Sequence, residues 1–239
     1  MNTLLRSELV RLSTVPAPLL GAAAVAITSL GLVAVGSAVV PPEDVLGIAA
    51  VLAVPPTLAV VVLLVLGALG GASDFQHRTA DMTFLARPRR SQVLMSRATV
   101  YAAVGVALAA VTSAGCAAVA HAIVGARGLE LPGLASVAGT SAGSVIAGAL
   151  CGALGVGVGY AVRSSVPAVL GVIAWATVGE GLLGTVVPAP LLPIGAARIL
   201  GAGPTAGLTA TAVAAAVLVA YTVVALAVGT RRLRRDLDA

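Results

Sequence analysis

Seven ionisable side chains crowd one short stretch, SDFQHRTADMTFLARPRRSQV at residues 73–93: Asp74, His77, Arg78, Asp81, Arg87, Arg89 and Arg90. Elsewhere the groups that carry chemistry stand alone. Glu180, His121, Cys116 and Cys151 each lie within an apolar run. Zinc or histidine-based catalysis needs several ligands or a nucleophile–base pair. This chain has two separated histidines and no HExxH. A P-loop needs GxxxxGK[ST], whose lysine reaches the phosphates. All fourteen basic residues here are arginine, so that motif is impossible. The two cysteines read as small buried hydrophobes, not as a disulfide or metal pair. No catalytic residue, metal or cofactor is therefore expected, and an energy source would have to come from another polypeptide.

The elements that carry these residues follow from composition. Hydrophobic residues make up 59% of 239 positions and charged residues 10%, against about 25% charged in soluble domains. Such a chain cannot cover a water-facing surface, so the sequence predicts an all-α integral membrane protein. Aromatics amount to only 3%, too few to stack on bases, and the arginines sit at the ends of apolar runs. Anionic lipid headgroups or an acidic partner suit them better than nucleic acid. A bilayer core takes about 20 apolar residues per helix. Six blocks qualify: Ala17–Val40, Val45–Gly71, Ala98–Val124, Pro132–Val162, Val166–Val187 and Thr205–Gly229. Their unbroken hydrophobicity, as in LAVVVLLVLGALGG, does not alternate as barrel strands do. The first block exceeds a typical signal-peptide core and reads as a retained span.

Orientation follows from arginine. Arg6 and Arg11, then Arg78, Arg87, Arg89, Arg90 and Arg97, then Arg163, then Arg231, Arg232, Arg234 and Arg235 collect at alternate ends of the spans. The other side holds only Arg127 and Arg198. The positive-inside rule places the twelve in the cytoplasm, with both termini. Residues 1–15 mix Leu4, Leu5, Val10 and Leu12 with Arg6, Glu8 and Arg11. They suit an interfacial helix or a simple extension of span one.

Within the spans, Gly148, Gly152, Gly155 and Gly159 form two GxxxG pairs facing one side of span four, open to a helix of this chain or of a second copy. Pro55 and Pro56 should kink span two. Glu180 is the one acid deep in a span, and the sequence pairs it with Arg198 in PAPLLPIGAARILGAG. That pair reads either as a polar pin at an outer gate or as a purely structural contact. In the polar segment, Ser73 after Gly70 and Gly71 reads as the N-cap of a new short helix. Asp74 and Arg78 are paired at four residues' spacing, and Phe75, Thr79, Met82 and Ala86 share a face. Pro88 stops it, and Arg89 and Arg90 lead into span three. A docking element explains the apolar side chains Phe75, Met82, Phe84 and Leu85 better than a solvated loop does.

At these residues a family resemblance emerges. DFQHRTADMTFLARPRRSQVLMSR resembles the first cytoplasmic loop of ABC-2 type transporter permeases, bacterial exporter subunits encoded apart from their ATPase. The matching positions are Asp74, Phe75, Thr79, Leu85, Pro88, Arg89 and Arg90, with Arg97 opening the third span. RSELVRLSTVPAPLL, GVGVGYAVRSSVPAVLGVIAWATVGEGLL and AYTVVALAVGTRRLRRDL are similar to the family's N-terminal segment, spans four to five and basic tail. Asp74 stands where glutamate is more usual, and Arg78 where glycine is common. The resemblance implies a single domain over 1–239 in the bacterial cytoplasmic membrane. It implies two permease copies, alike or different, and two ATPase subunits that bind the ATP. It also implies a coupling element within 73–97, in which His77 and Arg78 join the matching residues, and an outer re-entrant segment at 188–204. The cargo expected from apolar span walls is hydrophobic or amphipathic: a drug, lipid or peptide. A non-transporting accessory or immunity protein is the competing class.

Overall fold

The computed structural model describes residues 16–39, 45–76, 90–128 and 133–235. Residues 1–15, with the expected interfacial helix, lie outside that set, as do 77–89. The described residues are helical throughout apart from short turns and contain no strand. Helix α1 is Pro16–Val39, α2 is Val45–Gln76, α3 is Arg90–Ala126 and α4 is Leu134–Val162. Helix α5 runs over Ser165–Leu183, interrupted by a π turn at Trp175–Gly179. A 3₁₀ turn at Ala189–Leu191 leads to α6, Pro193–Ala202, and then to α7, Leu208–Arg235.

Five of these helices are long and apolar enough to cross a membrane: Leu20–Val39, Ser91–Ala126, Val137–Val162, Ser165–Leu183 and Leu208–Leu233. Helix α2, 32 residues long, contributes the further apolar stretch Thr57–Ser73 among its described side chains. Outward faces carry large apolar side chains, among them Ile27, Val35, Leu170, Val178, Leu182 and Val223. That is the reverse of a water-facing surface. The polar groups of the helices turn inward on their own backbone: Thr112 and Thr222 donate to the carbonyls of Leu108 and Leu218 at 2.7 and 2.8 Å. In an apolar setting this local bond satisfies a hydroxyl that would otherwise be costly.

Helix α4 is the axis of the bundle. More than half of its span is buried, against 11% for α5, and it packs on α2, α3, α6 and α7. Glycine makes this possible. At 3.6 residues per turn, Gly148, Gly152, Gly155 and Gly159 lie within about 60° of one another. Two helices share that single face at successive heights. Gly148 and Gly152 lie against the backbone of α3 at Gly105 and Tyr101, and Gly155 and Gly159 against α2 at Leu64 and Ala68. A β-carbon at Gly148 would lie 2.6 Å from the Gly105 carbonyl oxygen, so only glycine permits this approach. Around the axis Leu63, Leu64, Leu108, Cys151, Leu154, Ile194, Leu200 and Leu218 form the main core.

One expectation changes. Helix α2 does not end at Gly70–Gly71 but continues to Gln76, so Ser73 is no N-cap. Its hydroxyl donates to the Gly70 carbonyl at 3.1 Å, as a serine inside a helix does.

Candidate functional site

Two polar places stand out, one at each end of the bundle. The first is the elbow, where α2 ends and α3 begins. Phe75, in the last turn of α2, meets Tyr160 of α4 edge-on, with ring centroids 5.6 Å apart and planes at 90°. The guanidinium of Arg97, on α3, lies 5.8 Å from the centroid of the Tyr160 ring. Its Nη1 donates to the carbonyl of Gly70 on α2 at 3.0 Å. On the other side Arg163, just past α4, holds its guanidinium 5.6 Å from the Phe75 ring. The order is cation, ring, ring, cation, and it ties α2, α3 and α4 together. An edge-to-face ring pair contributes about 0.5–1.5 kcal/mol beyond its buried area, and a cation over a ring about 0.5–2 kcal/mol. Arg97 is only 1% exposed. A buried charge persists only with compensation, and here a carbonyl and a π face supply it.

Arg163 itself has a left-handed backbone, φ 63°, where glycine is the usual choice. Its N–H donates to the Gly159 carbonyl at 2.8 Å and closes α4. Its Nη2 donates to the carbonyl of Arg232 at 2.5 Å, while Arg232 Nη1 donates to the carbonyl of Ala161 at 2.8 Å. The Ala161 carbonyl is one of the last four of α4, which have no partner within the helix. Arg232 thus caps the C-terminus of α4, Arg163 in turn binds the backbone of α7, and α7 joins the same cluster.

The second place is the N-terminus of α6. Its N-cap position is Leu192, which has no side-chain acceptor. Pro193 has no N–H, and Ala196 N–H already donates to the Leu192 carbonyl at 2.7 Å. That leaves the N–H groups of Ile194 and Gly195. They donate to Glu180 Oε1 and Oε2 at 2.5 and 2.9 Å. One carboxylate, fourteen residues upstream, supplies the missing cap. Trp175 Nε1 donates to the same Oε1 at 3.4 Å. A buried amide left without an acceptor costs about 1–3 kcal/mol, so this contact offsets two such costs.

Glu180 and Arg198 are not brought together. Arg198 is exposed on α6 and makes no ion pair among the described residues. The acid answers to a helix terminus, whose free N–H groups carry positive partial charge. Of the elbow residues, Phe75 joins the stack, and Asp74 and Arg90 lie in α2 and α3. His77, Arg78, Thr79, Leu85, Pro88 and Arg89 lie outside the described residues. Reading the residues alone gave no role to Tyr160 or Trp175 and used Arg232 only for orientation. For the two aromatics the signal is scarcity: three tyrosines and one tryptophan in 239 residues. A proline opening a helix with no polar residue before it also signals that an acceptor must come from elsewhere.

Comparison of the chain with protein-family models and with curated proteins gives no match.

Proposed function

We propose that this chain is the permease subunit of an ATP-binding cassette exporter of the ABC-2 type, driven by a separate ATPase. The bundle then comprises six spans, with α2 the one beyond the five long apolar helices. Both termini and the 77–89 elbow face the cytoplasm, and α6 is the outer re-entrant segment. Arginine asymmetry favours this orientation. The lack of any lysine favours an ATPase on another chain. The observation that carries the reading is the elbow: a dense arginine-rich segment that follows in sequence on a turn of α2 tied to α4 through Tyr160, to α3 through Arg97 and, by way of Arg163, to α7. A segment so rooted can receive force, whereas a loosely tethered loop would absorb it.

In the mechanism proposed, closure of two ATPase subunits around ATP pushes on Asp74–Arg90 of each of two permease copies. The stack of Phe75, Tyr160, Arg97 and Arg163 passes that push into α4 and α7, and α1, α2 and α5 tilt to open the pathway outward. The work comes from the differential affinity of the elbow for the open and closed ATPase states. The cargo suited to such walls is hydrophobic or amphipathic.

The test is co-expression with the ATPase of the neighbouring reading frame and reconstitution in liposomes. Movement of a headgroup-labelled fluorescent phospholipid or a hydrophobic cationic dye is then followed. ATP-dependent movement of either probe is expected. No movement of either probe, with no ATPase retained by the chain, would instead favour an accessory or immunity protein.

A further inference from the structure

We infer that Trp175 and Glu180 form a releasable latch between α5 and α6, closed here and opened when the pathway opens outward; the opening step rests on the permease reading above. Helix α6 is anchored: seven of its ten residues are buried, and it packs on α2, α4 and α7. Helix α5 is the least buried of the long helices, with only Ser165, Ala168 and Val172 of its first ten residues buried, and it packs on α2 and α4. The two helices thus share no broad face. Among the described residues, their hydrogen bonds to one another come from a single side chain, Glu180, through Ile194 and Gly195.

The π turn at Trp175–Gly179 sets the aim of that side chain. Ala168, Val172 and Ala176 define the inward face of α5, four residues apart. In a regular helix each such step drifts by about 40°, so Glu180 would rotate away from that face. A π turn holds an extra residue and takes the drift back. Trp175, at its start, then braces the carboxylate from the side. A helix free on its outer side, joined to an anchored helix through one carboxylate, separates from it by breaking two hydrogen bonds and no broad packed interface. Tilting α5 therefore exposes the α6 N-terminus in one step.

Trp175 is the only tryptophan, so the latch carries its own reporter. Full-length chain is labelled with 5-fluorotryptophan in nanodiscs of phosphatidylethanolamine and phosphatidylglycerol. It gives a single ¹⁹F line. Glu180→Gln is expected to move that line and to speed hydrogen exchange in peptides covering 188–203 by about tenfold. Glu180→Asp, which keeps the carboxylate but shortens its reach, should fall between. With unlabelled ATPase held in its ATP-bound state by a hydrolysis-deficient substitution, the wild-type line should move towards the Glu180→Gln position. Unchanged line and exchange in both variants would overturn the latch. A line that stays put under ATP, in a complex whose wild-type ATPase hydrolyses ATP, would overturn its opening while leaving the permease reading intact. Failure of the ATPase to bind would sink that reading and the opening step with it. The variants would still decide whether the latch exists.

Discussion

Tyr160 is the residue on which the elbow turns, because its ring takes contacts from two other helices at once. Phe75 comes from α2 and Arg97 from α3, while Tyr160 is itself 1% exposed. Tyr160→Leu keeps an apolar side chain but loses both ring contacts. It should cost about 2 kcal/mol, or roughly 4–8 °C in the melting temperature of a chain this size. Thermal unfolding in detergent checks this. Adding Phe75→Leu should cost less than its own separate loss, because the two residues share one contact. Additive losses would mean that the stack is incidental. Glu180 illustrates the opposite case. Charge reading paired it with Arg198, yet its partners are two backbone amides, which no list of charged residues contains.

Helices α2, α3 and α4 are held by what their glycines lack. Gly155→Ala places a methyl group against the Leu64 carbonyl of α2 and forces the backbones apart. Overpacking of this kind costs about 1–3 kcal/mol. Gly171→Ala, on the outward face of α5 with nothing within 4 Å, should be neutral or slightly stabilising, since alanine is the better helix former. Melting temperatures of the two variants should therefore diverge, and equal effects would refute the glycine seam. Helix positions were legible because apolar length is a strong signal: Pro132–Val162 ends with α4 at Val162, and Val166–Val187 starts within one residue of α5. Helix ends were less so. Gly70 and Gly71 looked like a stop, but α2 continues because Gly70 makes room for the Tyr101 ring of α3 and Gly71 for the backbone of α4. The π turn left no local signature, since it follows from where α6 sits. Helix α5 ends at Leu183 rather than Val187 for a related reason: the chain must turn there to bring Pro193 under Glu180.

Over the whole chain the arrangement is a glycine-packed axis with a cationic cluster at one end and a carboxylate-capped short helix at the other. The membrane character was plain from composition, and the site only partly so. Phe75 and Glu180 were picked out, but their partners depend on which helices meet, and that is decided by packing. The claim that the elbow receives work from a separate ATPase has one most direct measurement. The chain and the ATPase that the permease reading expects of a neighbouring reading frame are expressed together, and the ATPase retained on tagged full-length chain is quantified, for wild type and for Arg89→Glu with Arg90→Glu. The expected result is stoichiometric retention by wild type and a loss of at least about tenfold in the charge-reversed variant, as for other charge-complementary contacts. Equal retention by both, with the variant folded and in the membrane, would contradict docking at the elbow.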